Sequence, residues 1–469
     1  MATGACVFTD PPPRLPRTMS KAAVVVTVPA GDADTRSPIG PALPVRPPVS
    51  GLTTSRAAAI DLPLRYMVSG LVFSVMAYGC ALAYAPAFLD SVFLTPQLLA
   101  VTHLTALGWL TMVAMGALYQ FVPVVLDVPI FSERLGKVNF YVYLAGVVCL
   151  TYEMGTGRLQ TVAWPAALLV LAIGLFLYNM ARTLAPVRRW PLTGWFIVAA
   201  LTSLGLVVTA GFVLALNLVV GFLPLSQLAF IEAHAHLAAL GWLGLLVVGV
   251  SYKLTPMFAL SHPFDEWRLG KPVFMLLVVA VVGLFVSLLL RLGTLPLLAC
   301  TLLVVCAVSL YAWDYATMLR VRRRRPIDLT QRHNIAGVCC LVAATVLGLT
   351  LVAAPLAVSV HTRLQLAYAV VALGGWLGLT TFGQLYKIVP FLVWTHRFAP
   401  RMGRERVPLL QDLYPLRLAQ VGFALLAAGL VAATGAILMG WLPGIQTGFA
   451  LCTAGAAITA TNLIRVVWR

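Results

Sequence analysis

Along most of this chain apolar residues run on instead of alternating with polar ones. From residue 61 onward, stretches of roughly 20 apolar residues, the length that crosses about 30 Å of hydrocarbon, recur about twelve times between short segments where the charges collect. The pattern predicts helices near 66–88, 98–125, 136–154, 160–182, 190–218, 228–258, 271–292, 294–318, 334–359, 363–392, 414–440 and 444–467. Residues 1–60 differ in kind. They are rich in proline, alanine and small polar residues, lack helical period, and are expected to form a disordered cytoplasmic tail.

Three of these helices are copies of one another, about 133 residues apart. The first reads His103-Leu-Thr-Ala-Leu-Gly108-Trp109 with Gly116, Tyr119 and Pro123, and the second His236-Leu-Ala-Ala-Leu-Gly241-Trp242 with Gly249, Tyr252 and Pro256. The third reads Val370-Val-Ala-Leu-Gly-Gly375-Trp376 with Gly383, Tyr386 and Pro390. Arg134-Leu-Gly-Lys137 and Arg268-Leu-Gly-Lys271 open the spans that follow the first two copies. The motif helices (98–125, 228–258, 363–392) are therefore spans two, six and ten. Three units of four spans predict an all-α polytopic membrane protein of about twelve helices, in three four-helix arcs with pseudo-threefold symmetry over residues 61–469. An even number of spans per unit makes the repeats parallel.

Composition agrees: 61% hydrophobic and 10% charged residues in 469 exclude a soluble globule. A net charge of +17 raises nucleic acid as a partner, but its placement argues for lipid instead. Arginine and lysine gather in alternate loops, around Arg134, Arg182, Arg188, Arg268, Arg320–Arg325 and Arg397–Arg406, while intervening loops hold little beyond Arg158, Arg291 and Arg363. By the positive-inside rule the basic loops and both termini are cytoplasmic, as in a bacterial inner-membrane protein. The run Arg322–Arg325 can add contacts with anionic lipid. Eight cysteines without a Cys-x-x-Cys indicate neither a disulfide frame nor a zinc site.

Glycine and tryptophan, present in every copy, read as helix packing. The tyrosines read as interface anchors and the prolines as helix ends. Histidine varies among copies. A charged group at the bilayer centre costs on the order of 2.5 to 3.5 kcal/mol, whereas neutral histidine is cheaper and ligates haem iron or copper. His103, His234 and His236 lie in the outer halves of motif helices, and the His-x-His spacing turns two imidazoles about 200° apart. Such a pair can serve two centres flanking the helix, or one centre with the other histidine in a polar contact. Glu232 can orient an imidazole or face water; His361 and Arg363 can meet haem propionates or sit in an exposed loop. His262, His333 and His396 are expected in solvated loops, and Asp314 is read as a charge at the cytoplasmic end, with a part in a proton route as the alternative.

The chain resembles subunit I of the haem-copper oxidases. The closest local likeness is to the C-family cytochrome c oxidases, whose tenth span carries His-x-His, then Ala-Leu-Gly-Trp, Gly, Tyr and Pro, as His234 to Pro256 do here. The resemblance implies haem b, with His103 and His236 on a low-spin iron and His234 on a second centre; by helix order, His236 falls instead where the family places a copper ligand. Two departures stand out. The seventh span, Lys271 to Leu292, has no histidine for a copper triad, and Tyr368 and Val370 replace His-x-His on the tenth. Full oxygen reduction is therefore not expected.

These readings lead to a haem protein that transfers electrons, or binds or senses oxygen or nitric oxide, as the NnrS-type haem-copper membrane proteins do. Its donor would be a cytochrome or quinol, with other membrane subunits as partners. A cofactor-free scaffold or small-molecule transporter is the alternative, and copper handling through the same histidines is a weaker one.

Overall fold

The computed structural model describes residues 58–89, 94–261, 265–323 and 326–468; the expected tail and His262 lie outside the described residues. Among the described residues, twelve helices are long and apolar enough to cross a membrane. They are α1 (Asp61–Ala83), α2 (Pro96–Leu126), α3 (Glu133–Gly155), α4 (Ala163–Leu184), α5 (Leu192–Val220), α6 (Gln227–Ala259), α7 (Gly270–Leu289), α8 (Thr294–Arg320), α9 (Leu329–Ala353), α10 (Val358–Arg397), α11 (Leu416–Met439) and α12 (Leu442–Trp468). Among the described residues there is no strand, only an isolated bridge between Met402 and Glu405. All twelve predicted spans are present.

Polar side chains set the starts of four helices by accepting an otherwise orphaned backbone N–H. Thr95 caps α2, Ser132 caps α3, Ser226 caps α6 and Asp328 caps α9. The α9 cap moves that helix five residues ahead of its predicted start and carries His333 into it. His333 is fully buried, not a solvated loop residue: its Nδ1 bonds the Leu329 carbonyl at 2.9 Å and its ring lies 4.5 Å from Phe423. His396 is exposed, in the last turn of α10.

The motif prolines lie inside their helices and do not by themselves end them. In α2 and α6 the stop comes three residues later, where Asp127 (φ 53) and Leu260 (φ 55) turn left-handed. Without that turn α10 continues seven residues past Pro390. At 40 residues and 1.5 Å per residue it is about 60 Å long, well beyond a hydrocarbon core.

Each motif helix also holds a π-helical stretch: Leu104–Thr111, Leu237–Gly244 and Val371–Gly378. It begins directly after His103, His236 or Val370 and contains the Gly-Trp pair. Such widened turns recur at functional sites.

The threefold register extends to helices with no visible likeness. Tyr66 of α1, Phe196 of α5 and His333 of α9 occupy one slot. A Cβ on Gly116 would fall 2.6 Å from Tyr66 Cβ, one on Gly383 2.6 Å from His333 Cβ, and one on Gly249 would overlap Phe196. Seven residues on, Phe73, Ser203 and Cys340 fill the space left by Gly108, Gly241 and Gly375. Small residues thus let the first helix of each arc lie against its motif helix, the way helices associate where lipid gives no hydrophobic drive.

Tyr119, Tyr252 and Tyr386 are buried rather than anchored at an interface. Tyr119 and Tyr252 pack on Gly136 and Gly270, which accounts for the repeated Arg-Leu-Gly-Lys. Tyr252 Oη donates to Asp314 Oδ2 at 3.0 Å, so Asp314 is an interior acid.

Candidate functional site

The three motif helices meet through their π stretches, and tryptophan makes the contact cyclic. Trp242 Nε1 donates to Thr111 Oγ1 at 2.9 Å. Trp376 Cη2 would lie 3.0 Å from a Cβ on Gly244, and Trp109 Cη2 2.7 Å from one on Gly378. Thr111, Gly244 and Gly378 each stand two residues after a motif tryptophan. Each indole therefore fills the same position on a neighbouring motif helix.

This tryptophan layer divides two cavities. The smaller, about 110 Å³, is bordered by Trp376 and Leu243 and reaches toward the basic end, where Thr255, Tyr311 and Gln384 line it. The larger, about 400 Å³, reaches from Trp242 and Leu243 toward the sparsely charged end. That volume lies within the range of small-molecule and cofactor sites. The cavity is lined mostly by α2, α6 and α10, with apolar side chains of α5 and a few from α3 and α4, and it contains His103, His234 and His236.

His103 and His236 are held alike. The Nδ1 of His103 meets the Leu99 carbonyl at 2.8 Å, and the Nδ1 of His236 meets the Glu232 carbonyl at 2.8 Å. A carbonyl only accepts, so each Nδ1 carries the proton and each Nε2 keeps a free lone pair, the form a neutral imidazole needs as a metal ligand. Glu232 thus supports His236 through its backbone, not its carboxylate. That carboxylate, half-buried at the cavity edge, feels Arg291 and His361.

His234 is held differently. It faces α5, where its Cε1 would be 3.1 Å from a Cβ on Gly211, and its Nδ1 has no hydrogen-bond partner. It lies within electrostatic reach of His103. The nearest ring to His236 is Tyr368 of α10, 5.9 Å away and tilted by 22°. Gln365 and Tyr368 line the cavity, but His361 and Arg363 do not. Arg363 lies over Gly440, where a cation complements the carbonyl end of α11.

Among the described residues, no group of three or more His, Cys, Asp or Glu side chains is arranged to hold a metal ion. The cavity offers single imidazoles among apolar walls, a lining that a prosthetic group carrying most of its own metal ligands would fit. Sequence reasoning missed the roles of Gly211, Thr111 and Tyr368. The one signal available was their register relative to the repeated motif.

No protein-family model matches the chain, and no curated protein matches it. Among solved structures it is similar to a haem-copper terminal oxidase dimer determined by cryo-EM, with TM-score 0.65 and 12% sequence identity over 88% of this chain and 85% of that one. At that identity the likeness is one of fold. The chain is an integral membrane protein with twelve spans among the described residues and an architecture similar to that of a haem-copper terminal oxidase.

Proposed function

We propose that the larger cavity binds haem b through its histidines, and that the protein transfers electrons or binds a diatomic gas instead of reducing oxygen to water. The observation that carries this reading is three imidazoles, His103, His234 and His236, in one apolar cavity of about 400 Å³, the first and last with Nδ1 tied to their own helices so that Nε2 keeps its lone pair. Haem would supply a one-electron couple and a place for oxygen or nitric oxide to bind. The protein's own part is to fix the imidazole tautomer, exclude water with aliphatic walls, and close the floor with Trp242. Glu232, His361 and Arg363 remain candidates for propionate contacts at the rim. With no ligand cluster for a second metal among the described residues, copper belongs to an alternative in which the same histidines bind it directly.

The expected setting is a bacterial inner membrane with both termini cytoplasmic, and the donor a cytochrome or the quinol pool. Protein purified from haem-replete cells should show a Soret band and one or more haem irons per chain. A colourless protein carrying copper would favour copper handling. One with neither metal would favour the scaffold or transporter, to which the apolar third copy, with Val370 in place of histidine, lends support.

A further inference from the structure

The ring of motif helices has three interfaces, and the two histidine positions flank them in a fixed way. Call the outer-facing pair of positions on each helix by their members: Val101, His234 and Tyr368 form one set, and His103, His236 and Val370 the other. His236 of α6 meets Tyr368 of α10. The rotation that carries α6 onto α10 also carries α2 onto α6 and α10 onto α2, as the cyclic tryptophan contacts require. The same relation therefore pairs His103 with His234 between α2 and α6, and Val370 with Val101 between α10 and α2. His234 packs against Gly211 of α5, which lines the cavity beside α2 and α6.

We propose that His103 and His234 together would hold one haem iron, in the compartment between α2 and α6, and that His236 with Tyr368 faces the neighbouring compartment between α6 and α10. This rests on the haem reading above but departs from the pairing the oxidase resemblance implies, in which His103 partners His236. Three interfaces with three chemistries follow: two imidazoles, an imidazole with a phenol, and two valines. Only the first offers two nitrogen ligands. Apolar residues of α5, among them Leu204, Val207 and Val208, line the cavity on the helix against which His234 packs.

The test is spectroscopic. His103→Ala and His234→Ala should each convert a six-coordinate low-spin haem to a high-spin or haem-depleted form, read by absorption and paramagnetic resonance at unchanged size-exclusion behaviour. His236→Ala should leave the low-spin signal in place. Loss of that signal in His236→Ala with retention in His234→Ala would overturn the pairing, while a wild-type protein that takes up no haem would overturn the haem reading itself. A second measurement does not depend on haem. With cysteines at 103 and 234, a short bifunctional thiol reagent should link α2 to α6 more efficiently than with cysteines at 103 and 236; the reverse preference would refute the pairing.

Discussion

Trp242 Nε1 donates to Thr111 Oγ1 across 2.9 Å, tying α6 to α2 at the layer that separates the two cavities. Trp109, the same residue in the first copy, faces Gly378, and its Nε1 is buried without a partner. The two positions are a built-in comparison. Thr111→Val keeps the shape and removes the acceptor, leaving a second orphaned indole N–H. The expected loss is about 1–3 kcal/mol in reversible detergent unfolding, with Thr111→Ser close to wild type.

Gly378 cannot take the hydroxyl that Thr111 carries. A Cβ there would fall 2.7 Å from Trp109 Cη2, and Trp109 is itself wedged 4.7 Å from the Phe382 ring. Gly378→Ala is therefore expected to destabilise by about 1–3 kcal/mol through overpacking. Gly174→Ala on α4, where a Cβ meets nothing within 4 Å, should be neutral or slightly stabilising in the same measurement. Equal effects at the two glycines would mean that the tryptophan ring tolerates expansion.

The fold was legible from apolar run lengths because a bilayer leaves so few options for the backbone. The errors fall where polar residues are buried. Thr330, Gln331 and His333 fell ahead of the predicted helix start, yet all are buried: Asp328 caps α9 and pairs with Lys387 at 2.8 Å, and Gln331 accepts from Tyr315 at 3.0 Å. The π stretches were invisible since they shift backbone hydrogen bonds without any required side chain. The slot shared by Tyr66, Phe196 and His333 was hidden for a related reason: what repeats is a shape against glycine, not a residue type. In the candidate site, the histidines announced themselves by position in the motif. Which of them face each other depends on the direction of rotation around the ring, and no spacing along one chain encodes that.

Gly211 gives an independent handle on His234. A valine there would press on an imidazole whose Cε1 already stands 3.1 Å from the Cβ position. Under the haem reading, Gly211→Val should shift the Soret band or lower the haem-to-protein ratio, while Gly174→Val leaves both unchanged. An unaltered spectrum in Gly211→Val at full haem content would remove His234 from the coordination sphere.

Tyr252 and Asp314 form the interior contact with the most at stake, because one partner is an acid 5% exposed on a membrane-length helix. Tyr386 has the milder counterpart, with Asn462 Nδ2 donating to its Oη at 3.4 Å. Removing the hydroxyl from Tyr386 costs a weak neutral bond; removing it from Tyr252 strips a carboxyl of its donor. Tyr252→Phe is therefore expected to lose about 1.5–3 kcal/mol, and Tyr386→Phe at most about 1 kcal/mol. Asp314→Asn should recover much of the deficit in the Tyr252→Phe background, since a neutral amide needs less compensation than a carboxyl in that setting. If Asp314→Asn instead adds its own loss on top of Tyr252→Phe, the two side chains are not energetically coupled. A double-mutant cycle in reversible detergent unfolding decides between these outcomes.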